Sequence, residues 1–228
     1  MRQKLKGITV TGPDTGVGKT VIAAGLAMLL RRAGRQVGVF KPVATGCRRD
    51  REGLVSEDAE LLAHAADAPE PLATINPVRY RQPVAPSVAA KRCRRPVDYD
   101  AIDLAYRQIC RRAEVIIIEG VGGLLVPLDE TTLVADLFRR FGWPMLIVAR
   151  AGLGTINHTL LTVEAARSRG LEIAAVVLNF YDADHATLAE ETNPDVIAAH
   201  TKLAVPTVVP LDRRTAPRKG RIGPDILS

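Results

Sequence analysis

Short apolar runs alternate along the chain with longer stretches in which apolar positions return at helical spacing. Ile8-Thr9-Val10 and residues 36–43, 114–120, 144–150, 173–179 and 207–211 read as strands. Residues 114–118 and 145–149 are almost continuously apolar, the pattern of strands covered on both faces, so a parallel sheet clothed by helices is expected. Helical patterns fall between the strands, over residues 21–33, 56–66, 98–113, 132–141, 155–169 and 194–203. Gly34 and Gly170 stand where helix C-caps belong, and Ser56 where an N-cap belongs. Strand-helix alternation of this kind predicts an α/β fold, doubly wound, with a mostly parallel sheet and helices on both faces. Between residues 67 and 96 the pattern lapses and Pro69, Pro71, Pro77, Pro83, Pro86 and Pro96 recur. Apolar residues are mixed in, so this is read as an irregular connection of the kind that can cover a substrate site. Residues 213–228 read as a loosely packed basic tail.

A length of 228 residues suits a single domain over 1–228 and is enough to bury a real core. No apolar run approaches the roughly 20 residues a membrane-spanning helix needs. The start, Met1-Arg2-Gln3-Lys4-Leu5-Lys6, is basic but lacks the apolar centre of a secretory signal. Cys47, Cys93 and Cys110 have no metal-type spacing, which fits a cytoplasmic protein without a disulfide framework or zinc site. The net charge of +6 comes from arginines spread along the chain, many near helix ends, where cations complement the dipole. No aromatic residues interleave with them, which argues against a nucleic-acid surface.

The sharpest signal is Thr11-Gly12-Pro13-Asp14-Thr15-Gly16-Val17-Gly18-Lys19-Thr20, lying between a strand and a helix. A glycine-rich turn that opens a helix with Lys-Thr is a phosphate-binding loop. Its backbone N–H groups and helix N-terminus attract an anion, Lys19 would reach the terminal phosphates, and Thr20 would hold magnesium. The loop is a variant, with Pro13 where the usual pattern has glycine.

Ligands of open α/β sheets gather at the carboxyl ends of the strands, so the residues there are the next candidates. Lys41 ends an apolar strand and is followed by Pro42-Val43-Ala44-Thr45-Gly46. It is either a snorkelling lysine or a second cation facing the phosphates. Thr45 would offer a hydroxyl nearby. Ser56-Glu57-Asp58 is either a helix start with dipole-favoured acids or the source of a magnesium ligand, Asp58. Glu119 directly follows Ile116-Ile117-Ile118, where a carboxylate is costly unless paired or bound to metal; it is read as a magnesium ligand with Thr20. The glycines after it let backbone approach a ligand closely. Gly152-Leu153-Gly154-Thr155-Ile156-Asn157-His158 leads into a helix, and reads either as an anion site or as ordinary capping. Asn179 would read a purine edge or simply tolerate a turn.

Taken together these stretches resemble dethiobiotin synthetase, the ATP-dependent ligase family of biotin biosynthesis, with a P-loop NTPase-like fold. The resemblance rests on residues 11–20, Lys41-Pro42-Val43-Ala44-Thr45-Gly46, Ser56-Glu57-Asp58-Ala59, Glu119-Gly120-Val121-Gly122-Gly123-Leu124 and Leu153-Gly154-Thr155-Ile156-Asn157-His158. It implies a homodimer that converts 7,8-diaminononanoate, carbon dioxide (or bicarbonate) and ATP into dethiobiotin. By position it implies Thr20, Asp58 and Glu119 as Mg2+ ligands, and Lys19 and Lys41 as the catalytic cations. The nucleotide would contact Thr15, Gly16, Val17, Gly18, Lys19, Thr20 and Val21, then Glu119, Gly120, Val121 and Gly122. Asn179, Phe180, Pro210, Leu211 and Asp212 would surround adenine. Thr45 would touch the substrate, and Gly154, Thr155, Ile156 and Asn157 of the partner subunit would bind its carboxylate. Two departures stand out: Gly16 where some members carry glutamate, and Pro13 where threonine is frequent. The alternative of a partitioning-type ATPase switch meets Asp14 where that group has its signature lysine. A related amidoligase would need an ammonia-supplying domain for which the chain has no room. On this reading Lys41→Ala loses turnover and keeps its fold.

Overall fold

The computed structural model describes residues 6–51, 53–205, 207–212, 214–215 and 221–227. Six strands form the central sheet, in the spatial order β10 (Thr207–Pro210), β9 (Ile173–Tyr181), β8 (Met145–Arg150), β1 (Lys6–Thr11), β7 (Val115–Glu119) and β2 (Val37–Phe40). Every neighbouring pair is parallel. The chain passes from β1 to the β2 edge and leaves a gap that β7 later fills, then continues from β8 outward in the other direction. The direction of winding therefore reverses around β1, and ligands of such sheets bind at that reversal.

Alternation along each strand sends side chains to opposite faces. Ile116 and Ile118 of β7 join one core layer, with Phe40, Ile147 and Leu178. That layer packs on α5 (Tyr99–Cys110), α6 (Val134–Phe141), α7 (Thr155–Arg167) and α8 (Leu188–Thr201), through Ile102, Phe138, Val163 and Ile197. Ile117 joins the other layer, with Val10, Val39 and Val148, against α1 (Lys19–Arg32) and α2 (Glu57–Ala66). The doubly wound α/β fold read from the sequence is the fold observed.

Several boundaries differ from the expected ones. Residues 36–43 do not form one strand: β2 stops at Phe40, and Val43–Ala44 (β3) pairs instead with Val78–Arg79 (β6) in a separate parallel ladder. Pro42 lacks the N–H that would continue the central ladder, and the chain leaves the sheet there. Arg48–Asp50 (β4) and Gly53–Val55 (β5) form an antiparallel pair that polar residues had disguised. The proline-rich stretch is not wholly irregular. It holds α3 (Leu72–Ile75), β6 and α4 (Pro86–Cys93), the last with proline in its first turn, where no N–H is needed. The helix expected from residue 194 starts at Leu188, and Pro194 lies inside it. Its true start carries a reciprocal cap between Thr187 and Glu190.

Of the stretch read as a basic tail, Ile222 and Ile226 pack against the layer around α1, and the Gly223 N–H donates to Thr215 Oγ1 at 2.9 Å. Residues 213, 216–220 and 228 of that stretch, like the basic start at residues 1–5, lie outside the described residues.

Gly7 of β1 faces the Trp143 ring. A Cβ there would lie 2.5 Å from Trp143 Cδ2 and 2.8 Å from Ile116 Cγ2, with a rigid indole in the way. Gly7→Ala should lower stability by about 1–3 kcal/mol, the usual cost of overpacking. A reduced urea midpoint at unchanged slope is the expected result, and an unchanged midpoint would show that Trp143 yields freely.

Candidate active site

Beyond β1 the chain turns through residues 12–18 and enters α1 at Lys19. Gly18, the N-cap, has φ 92°, in the left-handed region, and a Cβ on it would lie 1.9 Å from Asn179 Nδ2. Only glycine fits there. The helix start has no side-chain cap and no acid in its first turn, so its orphan N–H groups remain for an anion. Lys19 Nζ donates to the Asp14 carbonyl at 2.7 Å, folding across its own loop. Burial, helped by the nearby Lys41 charge, lowers the Lys19 pKa to about 8 against the pull of Glu119 and Asp58. Arg150, at the end of β8, donates to the Gly16 carbonyl at 3.3 Å.

Lys41 stands where the chain leaves the sheet after β2. Its ammonium donates to Glu119 Oε1 at 2.8 Å and to the Gly120 carbonyl at 3.2 Å, and lies 2.7 Å from Asp58 Oδ2. Lys41 and Glu119 are almost entirely buried, while the Asp58 side chain is 45 % exposed and opens to solvent. Burial alone would lower the Lys41 pKa, but Asp58 and Glu119 more than offset it and the ammonium form is held firmly. Lys41 in turn holds Asp58 below the usual carboxylate range. Glu119 is pushed upward by burial and by Asp58, against the pull of Lys41. Thr20 Oγ1 donates to Glu119 Oε1 at 2.8 Å, and Glu119 Oε2 is buried without a hydrogen-bond partner among the described residues.

These groups share a cavity of about 650 Å³. Of the expected residues, Thr15, Gly16, Gly18, Lys19, Thr20, Val21, Lys41, Thr45, Asp58, Glu119, Val121, Gly122 and Phe180 line it. Pro83, Val84, Ala85 and Pro86 of the proline-rich stretch also line it, with Ala44 and Val126; of these, Val84, Ala85 and Val126 had not been singled out in the sequence. The proline recurrence was the available signal. A larger groove of about 1030 Å³ lies at the other end of β2 and β7 and contains none of these residues.

Other expected residues stand apart. The Asn179 amide donates to the Val17 carbonyl at 3.0 Å, and its Oδ1 is buried and unpartnered among the described residues, so one half of the amide braces the loop. Leu211 N–H donates to the Tyr181 carbonyl at 2.7 Å, which places Pro210–Asp212 beside the end of β9 but not in the cavity lining. The Asp212 carboxylate is engaged by Arg214 at 2.9 and 3.0 Å. Gly154 and the first turn of α7, with Thr155, Ile156 and Asn157, do not line the cavity. One turn on, His158 and Leu161 line a neighbouring depression of about 390 Å³ with Asp14, Thr15 and Leu125.

A family model described as an AAA domain matches residues 6–219. A protein of Anaeromyxobacter sp. (strain Fw109-5) called ATP-dependent dethiobiotin synthetase BioD is 45% identical over 175 residues, 77% of each chain. The protein of that name from Bacillus subtilis (strain 168) is 41% identical over 193 residues, 85% of this chain and 82% of its own. The chain belongs to the dethiobiotin synthetase family. Among solved structures, the cell division protein MinD of Aquifex aeolicus aligns with TM-score 0.58 at 15% identity, covering 95% of this chain and 88% of its own. MinD of Pyrococcus furiosus aligns with TM-score 0.54 at 17% identity, covering 94% and 86%. At these identities the likeness extends to the fold this dethiobiotin synthetase relative shares with those ATPases, and no further.

The buried pair changes what Lys41→Ala should do. Removing the ammonium leaves Glu119 buried and uncompensated, so retention of the fold is no longer the expectation. A loss of about 3–5 kcal/mol is expected, as for other broken buried pairs. Lys41→Met combined with Glu119→Gln should lose clearly less. Urea unfolding of Lys41→Met, Glu119→Gln and the double variant tests this, and losses that simply add would show that the two charges are not coupled.

Proposed function

We propose that the chain is an ATP-dependent dethiobiotin synthetase, the activity for which its relatives are named. The observation that carries the reading is one cavity lined by two dissimilar sets of residues. Lys19, Lys41, Thr20, Asp58 and Glu119 are charged or polar; Pro83 to Pro86 and Val126 are apolar. That combination suits a nucleotide triphosphate beside an aliphatic diamine such as 7,8-diaminononanoate.

Hard oxygen donors from Thr20, Asp58 and Glu119 fit Mg2+, which commonly takes one or two carboxylates and completes its shell with water and phosphate. The unpartnered Glu119 Oε2 is a ready ligand atom. Bound there, magnesium would neutralise phosphate charge. Lys41, held in the cavity wall by Asp58 and Glu119, would place its charge beside the carbamate that forms when one amine adds to carbon dioxide and a proton is lost. The carbamate oxygen attacks the γ-phosphorus of ATP, and ADP leaves. The second amine then attacks the carbamoyl carbon, inorganic phosphate departs and a proton is lost, closing the ureido ring. Lys19 and the α1 N-terminus hold the anionic groups in line, so the residues act by positioning and by charge. The nucleotide base lies toward Phe180 and the backbone of Pro210–Asp212.

Incubation with ATP, magnesium, bicarbonate and the diamine should give dethiobiotin by mass spectrometry, with ADP release dependent on both diamine and bicarbonate. ATP hydrolysis indifferent to the diamine, without product, would falsify the assignment.

The reading extends to a homodimer in the cytoplasm. Leu153 is 92% exposed, Leu161 60% and Leu125 46%, on and beside the N-terminal half of α7. Covering them with a second copy would bring the partner's α7 start toward this cavity. The three cysteines are free thiols, in keeping with a reducing compartment. Leu161→Glu should yield monomers by sedimentation and reduce diamine turnover at least about tenfold, as loss of a well-placed substrate contact does. A fully active monomer would remove the partner from the site.

A further inference from the structure

Lys41 lines the cavity with its backbone between two sheets, after β2 has ended and before β3 begins. A peptide in that position loses its ladder partners, yet buried N–H and C=O groups must be satisfied. The proline-rich stretch supplies both. The Lys41 N–H donates to the Ile75 carbonyl at 2.8 Å, at the end of α3. The Lys41 carbonyl accepts from Asn76 Nδ2 at 2.6 Å, and the same nitrogen donates to the Val78 carbonyl at 3.2 Å. Asn76 is fully buried.

The orientation of this amide follows from its surroundings. Two carbonyl oxygens face one end of the side chain, so that end must be the NH2. Its Oδ1 is buried with no partner among the described residues, so none of them holds the side chain from the other end. Both amide hydrogens are spent on carbonyls, one on each side of the junction between β2 and the β3–β6 ladder. Pro42 has no N–H, and the Val78 N–H donates to the Pro42 carbonyl at 3.2 Å, which closes the clasp. Within it the Lys41 Cα has one position, from which its ammonium reaches Asp58 and Glu119.

We propose that Asn76 is a positioning residue for the reaction, acting through the Lys41 backbone to hold the Lys41 ammonium at the reacting groups. This rests on the reading of Lys41 as a catalytic cation. Asn76 does not itself line the cavity and reaches it through the Lys41 carbonyl, so its loss displaces Lys41 while the loop around Lys19 keeps its geometry.

The test is steady-state kinetics on Asn76→Ala and Asn76→Ser with ATP, magnesium, bicarbonate and the diamine, alongside ATP affinity measured by titration. A displaced catalytic group costs about 10- to 100-fold in turnover. That loss is expected for Asn76→Ala, with ATP affinity changed less than about twofold, and a smaller loss for Asn76→Ser, whose hydroxyl can still serve one carbonyl. Unchanged turnover overturns the proposal. So does a parallel loss of turnover and ATP affinity, which would mark Asn76 as a general structural residue. Lys41→Gln is run beside them, its fold checked by circular dichroism: if it keeps full turnover the reading of Lys41 fails, whereas a folded but inactive Lys41→Gln with active Asn76 variants fails the present inference alone. The unsubstituted protein gives a further check should neither variant fold. The Asn76 side-chain amide protons should exchange with water as slowly as central-sheet amides, and fast exchange would show that the clasp is not closed.

Discussion

The ion pair between Lys41 and Glu119 is the constraint around which the rest of the structure is arranged. Both groups are almost wholly removed from water, and each would be prohibitive without the other. Replacing such a pair with apolar residues of similar volume is often neutral or stabilising, so stability alone does not account for it. The pair exists where it does because three separate pieces of backbone converge. Glu119 ends β7, Lys41 follows β2 on the adjacent strand, and Thr20 lies in the first turn of α1, after the strand on the other side of β7. Ile118 pairs with Phe40 on one side and with Thr9 on the other, and that register brings the three ends level.

The core explains how so many charges are tolerated at one end of the sheet. Ile116, Ile117 and Ile118 are fully buried on alternating faces, and they fix β7 in position before the chain reaches its carboxylate. Packing energy is spread over both helix layers, while the charged residues of the cavity sit at strand ends and helix starts. Such a site can be preorganised because its supports are strands with paired neighbours. The exception is Lys41, which has left its strand and depends on α3 and β6.

What the sequence made legible was whatever is written locally. The loop at 11–20, the carboxylate after three isoleucines and the lysine after an apolar strand are each signals confined to a few residues, and the structure brings them to one cavity. The rest depended on contacts between distant segments. Val43 and Ala44 continue the apolar pattern of β2, so periodicity could not show that they pair with Val78 and Arg79 instead. Pro194 resembles a helix start, and the capping pair Thr187 and Glu190 lay farther upstream in a polar stretch. Pro83 to Pro86 became a cavity wall only through tertiary folding, and Asn76, one asparagine before a proline, carries no local mark of its partner 35 residues away.

The two lysines illustrate how similar residues are given different work by their supports. Lys41 is held by two carboxylates that keep its proton in place and fix its position. Lys19 is held by one neutral carbonyl of its own loop, and burial weakens its grip on its proton. A phosphate arriving at the loop supplies the counter-charge that burial withholds, and the long Lys19 side chain can leave Asp14 to meet it. Lys41 has no such freedom, since moving it would strand Glu119. The site thus combines a fixed cation, suited to a group whose position decides the reaction, with an adjustable one suited to gripping a ligand that must enter and leave.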